Sequence, residues 1–217
     1  MKKIISFCLW GNNPKYTTGA IENAKLAKEI YPNWIPRFYV GTSTDKAIVE
    51  QLKVLNSEVV QMPEQGNWSG MFWRFYPASD KDVDIMISRD CDSRLNFREK
   101  AAVDYWLNET DKEFHIMRDH PAHSAAIMGG MWGVRNGFLS NMKELIWNYS
   151  KGNFWQVDQN FLAEIVYPIV YQNSCVHDPF FQQIEFPTER MNYEFVGDVF
   201  DENNLRHSEY WKDFIKK

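Results

Sequence analysis

Asp90 and Asp92 flank Cys91 directly after the apolar run Val83-Asp84-Ile85-Met86-Ile87-Ser88. Carboxylates this close repel each other and raise each other's pKa unless a cation neutralises them. If the run is a strand, residues i and i+2 point the same way, roughly 6.5 to 7 Å apart at Cα, so both side chains can converge on one ion or its bound water. Ligation by oxygen alone suits Mg²⁺ or Mn²⁺, which keep several waters and take further ligands from a substrate's phosphates. Asp is also a common turn residue, and a D-x-D carries weight only in context.

The context is a series of alternating elements. Ile4 to Trp10 reads as a buried strand that runs into the turn Gly11-Asn12-Asn13-Pro14. Thr18 to Tyr31 follows with apolar residues at helical spacing and is ended by Pro32. Pro36–Gly41 is a second strand, Asp45–Leu55 a helix capped by Thr44, and Glu58–Met62 a third strand. A short helix over Gly70–Tyr76 precedes the strand that ends at Asp90. This alternation predicts an α/β fold, a mostly parallel central sheet flanked by helices in a single Rossmann-like domain. Ligands of such sheets bind beyond the carboxyl ends of the strands, where strand order reverses, and both Trp10-Gly11-Asn12 and the Asp pair arrive there.

The second half is less regular. Glu99–Leu107 is predicted helical and Phe114–Arg118 a short strand. Ala125–Val134 reads as a strand whose Gly129 and Gly130 let a ligand or another backbone approach closely. Asp158–Tyr167 is predicted to be a helix with Asp158 at its N-terminal end and Pro168 as its stop.

The composition fits one soluble domain: 217 residues, 44% hydrophobic and 24% charged. A net charge of -5 gives no long-range attraction for nucleic acid or an anionic membrane surface. Cys8, Cys91 and Cys175 are scattered and lack C-x-x-C spacing, so they read as reduced thiols in a reducing compartment, and the expected location is the cytoplasm. No stretch approaches the length of a membrane span.

In order and spacing, four features resemble the metal-dependent nucleotide-sugar glycosyltransferases of the GT-A fold, those of glycosyltransferase family 8 above all. They are the turn after Trp10, the block Met71-Phe72-Trp73-Arg74, the Asp90-Cys91-Asp92 strand end with the Gly129-Gly130 segment, and Asp158-Gln159 followed by His177. A small glycosyltransferase domain of the chlorella-virus type is a second resemblance. Cys91 between the two Asp, and Asp178-Pro179 after His177, depart from the family pattern.

The resemblance implies transfer of a sugar from a nucleoside diphosphate sugar, a UDP-sugar first, to a glycan or glycoprotein acceptor, with Mn²⁺ or Mg²⁺ bound at the D-x-D. Residues 1–98 would form the nucleotide-binding half and 99–217 the acceptor half. Asp90, Asp92 and His177 would hold the metal. Trp10 and Tyr16 would flank the nucleobase, with Gly11 and Asn12 at its edge, while Arg74, Gly129 and Gly130 lie beside the donor sugar. Asp158 would serve as a general base or as an acceptor-orienting group, with Gln159 under the donor sugar. Two other readings compete: a haloacid-dehalogenase-like phosphatase, which also ends an apolar strand in D-x-D, and a non-enzymatic glycan-binding module, which would account for nine Trp and ten Tyr.

Overall fold

The computed structural model describes residues 1–149, 152–181 and 183–207. Seven strands form one sheet: β1 (Lys3–Leu9), β2 (Ile35–Val40), β3 (Glu58–Gln61), β4 (Ile85–Ser88), β5 (Phe114–Met117), β6 (Trp132–Arg135) and β7 (Ser174–His177). Their order is β3-β2-β1-β4-β6-β5-β7. All neighbours are parallel except at β6, which runs antiparallel to both β4 and β5. After β3 the chain returns to the other side of β1, so the order reverses between β1 and β4. Ser6 pairs with Ser88 there, and sheets of this kind have their ligand crevice beyond the carboxyl ends of the two strands that flank the reversal.

Strand alternation divides the core into two layers. Ile5, Phe7, Leu9, Ile85 and Ile87 face α1 (Pro14–Ile30), α2 (Lys46–Val54) and α3 (Phe97–Glu109). Ile4, Met86, Phe114, Trp132 and Val134 face a 3-10 helix (Trp68–Ser79), α4 (Met142–Asn148) and α5 (Val157–Phe161). The expected α/β architecture is present.

Several boundaries differ from the sequence expectation. α1 begins at Pro14, because Asn13 caps it by accepting the Lys15 N–H and Pro14 supplies a helical φ without needing a donor. Asp45, not Thr44, caps α2 through the Ala47 N–H. Pro168 does not stop its helix. Leu162–Val166 widens into a π-turn, and helix resumes over Tyr167–Val170 with the proline in its first turn, where no N–H is missed. The strand expected over residues 125–134 shrinks to Trp132–Arg135, and β7, unpredicted, adds the far edge.

Candidate active site

β4 delivers the Asp pair to the crevice, and α1 fixes the loop that carries it. Gly19 lies so close that a Cβ there would sit 2.9 Å from the Cys91 carbonyl carbon. One turn on, Asn23 is fully buried. Its amide donates to the Ser93 carbonyl at 2.8 Å, and its oxygen accepts the Leu95 N–H at 3.0 Å. Cys91 turns inward, its thiol 3.3 Å from the Cys8 carbonyl, whereas the Asp90 and Asp92 side chains keep 39% and 21% of their surface.

Arg74 projects from the 3-10 helix and is 5% exposed. Its Nη1 lies 2.9 Å from Asp90 Oδ1 and its Nη2 2.6 Å from Asp158 Oδ2. Asp92 pairs with Lys15 Nζ at 2.8 Å. Three carboxylates therefore share two cations. The Asp90 side chain keeps part of its surface in solvent yet is packed closely against Arg74 and Gly130. Burial, then repulsion from Asp92 and Asp158, lifts its pKa to about 6 against the pull of Arg74. A divalent cation among these oxygens would relieve that excess, so the donor set fits Mg²⁺ or Mn²⁺.

Gly129 and Gly130, in the turn before β6, complete the arrangement. A Cβ on Gly129 would lie 2.5 Å from Asp158 Oδ2, and one on Gly130 would lie 2.5 Å from the Asp90 Cγ. The close approach expected of these glycines is made to the Arg74 network itself. The Gly129 carbonyl also accepts the Ser88 hydroxyl at 2.8 Å.

Asp158 is 2% exposed and is not the helix cap. Gln156 holds the N-cap position with φ +69° and no capping bond, so the Asp158 carboxylate is committed to Arg74. Gln159 beside it is half-buried.

The nucleobase expectations need revision. Gly11, at φ +67°, donates its N–H to the Ser43 hydroxyl at 2.8 Å, and Asn12 Oδ1 accepts the Asp45 N–H at 2.7 Å. The Gly11 N–H and the Asn12 Oδ1 thus tie the β1–α1 turn to the segment after β2. Trp10 packs edge-on to Trp73 at 6.2 Å, against Gly66 and Gly70, as a wall residue. Tyr16, 38% exposed on the first turn of α1, is the ring that remains accessible.

His177 is not brought to the Asp pair. β7 stands three strand spacings from β4, about 14 Å. Its ring is fully buried, 2.8 Å from His115 Nε2 and packed on Tyr105 and Phe186. Burial lowers its pKa to about 4, so it stays neutral. The strand-end loop is paired instead to a hairpin from the C-terminal part of the chain. Val199 bridges to Ser93, Phe200 donates its N–H to the Asp92 carbonyl at 2.8 Å, and His207 closes this hairpin through Val199.

No protein-family model and no curated protein sequence matches the chain. Solved structures do share its fold. A glycosyltransferase involved in the glycosylation of the major capsid of PBCV-1 superposes with a TM-score of 0.55 at 18% identity, over 82% of each chain. Glucosyl-3-phosphoglycerate synthase from Mycobacterium tuberculosis in complex with UDP gives 0.51 at 12% identity, over 88% of this chain and 73% of that one. The same enzyme in complex with Mn²⁺, UDP and glucosyl-3-phosphoglycerate gives 0.52 at 11% identity, over 81% and 68%. The chain therefore has the fold of GT-A glycosyltransferases. Neither the phosphatase nor the glycan-binding module gains support from these likenesses.

Lys15, Gly19 and Asn23 were not singled out by sequence. A signal existed for two of them, since Gly19 and Asn23 interrupt the buried stripe of Ala20, Ala24 and Ala27 on α1.

Proposed function

We propose that the protein transfers a sugar from a nucleoside diphosphate sugar, a UDP-sugar first, to an acceptor hydroxyl, with Mn²⁺ or Mg²⁺ held by Asp90 and Asp92. The observation that carries this reading is the Asp90–Arg74–Asp158 chain beside Asp92, at the switch point of a sheet shared with glycosyltransferases. The solved M. tuberculosis enzyme with Mn²⁺ and UDP supports the choice of metal and nucleotide.

A divalent cation bound there supplies Lewis-acid stabilisation of the charge that builds on the departing phosphate as glycosyl transfer reaches its oxocarbenium-like transition state. The chain's own residues do the rest. Lys15, at the start of α1, faces the diphosphate from beside Asp92, where helix N–H groups also favour an anion. Arg74 fixes Asp90 and presents its guanidinium to the donor sugar with Gly129 and Gly130. Asp158, held on Arg74 Nη2 at 2.6 Å, acts on the reacting hydroxyl as a general base or as an orienting group. In this reading the donor half lies at about residues 1–98 and the acceptor half at about 99–217, with Gly129 and Gly130 reaching the donor side from the second. Three free, buried cysteines agree with work in a reducing cytoplasm, and among the described residues no helix is long and apolar enough to cross a membrane.

Calorimetry with UDP, GDP and CDP, with and without Mn²⁺, tests the reading. UDP should bind in a Mn²⁺-dependent manner, and Asp92→Ala should abolish that dependence while leaving thermal unfolding nearly unchanged. Absence of any nucleotide binding, or an Asp92→Ala variant with full Mn²⁺ dependence, would overturn it.

A further inference from the structure

Three aromatic side chains stand exposed on two segments that flank Arg74 and Asp158. Trp68 is 43% exposed at the head of the 3-10 helix that carries Arg74. Phe154 and Trp155 are 39% and 65% exposed, immediately before the helix that carries Asp158. The two segments are tied together, since the Ser69 N–H donates to Asn153 Oδ1 at 3.2 Å. Folding leaves these rings in water although large aromatics carry the greatest gain on burial, and clustered exposed apolar surface marks a binding site.

Gln156, between Trp155 and the buried Val157-Asp158 pair, adopts the left-handed conformation at φ +69° and ψ 12°. A non-glycine residue held in that region is strained, and such strain persists where the surroundings impose it, often at ligand clamps. The chain is anchored on both sides of Gln156, by the Asp158–Arg74 ion pair and by the Asn153–Ser69 bond. The strained residue fixes Trp155 relative to the reacting end of the site.

We infer that Trp68 and Trp155 form an acceptor platform on which an uncharged pyranose of a glycan stacks, so that the acceptor is a sugar and not a small anionic acid. This rests on the proposed transferase reading. Its physical basis is the ring quadrupole. The face of an indole is negative, which attracts the electropositive C–H face of a pyranose and repels a carboxylate or phosphate. The amides of Gln156 and Gln159 lie on the same segment to meet the hydroxyls that project around such a ring.

Saturation-transfer NMR on the full chain with Mn²⁺ and UDP, using maltose, cellobiose, lactose and chitobiose as probes and 3-phosphoglycerate as the anionic competitor, tests the inference. At least one disaccharide should bind and 3-phosphoglycerate should not displace it. Trp68→Ala and Trp155→Ala should each weaken that binding by about two- to tenfold, the weight of one aromatic contact, with UDP affinity measured on the same samples unchanged. Binding of 3-phosphoglycerate alone, no disaccharide binding, or disaccharide binding indifferent to both substitutions would overturn the inference while leaving the donor reading intact. Loss of UDP binding in the parent protein would instead strike the donor reading itself.

Discussion

Asp90 and Asp158, from the end of β4 and the first turn of α5, meet across one guanidinium: Arg74 reaches Asp90 at 2.9 Å and Asp158 at 2.6 Å. The two carboxylates are therefore held in one rigid unit, because a guanidinium is planar and its donors are fixed relative to each other. Movement of either carboxylate is felt by the other.

This arrangement makes Arg74 the most sensitive substitution. Arg74→Ala leaves the buried Asp158 without its cation, a change that costs about 3 to 5 kcal/mol when one partner of a buried pair is removed. Arg74→Lys keeps the charge but cannot span both carboxylates. It should retain most of the thermal stability and lose transfer activity by well over an order of magnitude. Thermal unfolding and initial rates on the same preparations separate the two variants, and a Lys variant with full activity would refute the bridging role.

Gly130→Ala should act through Asp90 alone. The added Cβ would lie 2.5 Å from the Asp90 Cγ, and the backbone on both sides is fixed by β4 and β6. The carboxylate must swing away from Arg74, so Mn²⁺-dependent UDP binding should weaken at least as much as it does in Asp90→Ala. Calorimetric titration of the two variants gives the comparison.

Much of this was legible in the sequence, and the reason differs from residue to residue. The Asp pair was visible because a buried strand makes its polar end conspicuous, and the alternating elements before it predicted the switch point. Gly11 and Asn12 have a use that residue type does not reveal, since they tie the β1–α1 turn to the segment after β2 through the Ser43 hydroxyl and the Asp45 N–H. His177 failed because β7 was unpredicted, so nothing in the sequence said that three strand spacings would separate it from Asp92. The hairpin around Phe200 and His207 is held to Asp92 by backbone bonds, which leave no trace in residue type.

The buried histidines set a pH dependence. In the folded protein burial lowers His123 to about 3 and His177 to about 4, against an ordinary value of 6.5. Between pH 6.5 and 4 the unfolded chain takes up protons that the folded chain refuses. The contribution of each histidine is complete above pH 6.5 and declines as the pH falls, by about 1.4 kcal/mol per unit. The carboxyls of Asp90, Glu99 and Asp198 are raised by burial and act in the opposite sense, so the test is a difference. Stability measured from pH 7 to pH 4.5 should fall less steeply in His123→Asn, by about one proton, than in the parent. Parallel curves would show that His123 titrates normally.

Asn23 offers the most specific test of how the fold positions the site. It lies a helix away from the crevice yet holds the Ser93 carbonyl and the Leu95 N–H, the two backbone groups just past Asp92. Asn23→Leu is close in volume and suits the apolar stripe of α1, but it strands the Leu95 N–H in the core, at a cost of about 1 to 3 kcal/mol for the group left unsatisfied, and it leaves the Ser93 carbonyl with Arg94 Nη1 alone, at 2.9 Å. The loop would relieve that penalty by shifting toward solvent, carrying Asp92 and the paired Phe200 with it. Mn²⁺ affinity should therefore drop in Asn23→Leu even though no ligand has been removed. Asn23→Asp, which can still accept from Leu95 but not donate to Ser93, should fall between the leucine variant and the parent in both thermal unfolding and Mn²⁺ titration. If the two variants lose stability in that order while Mn²⁺ affinity stays at the parental value, then α1 supports the fold without setting the geometry of the metal site.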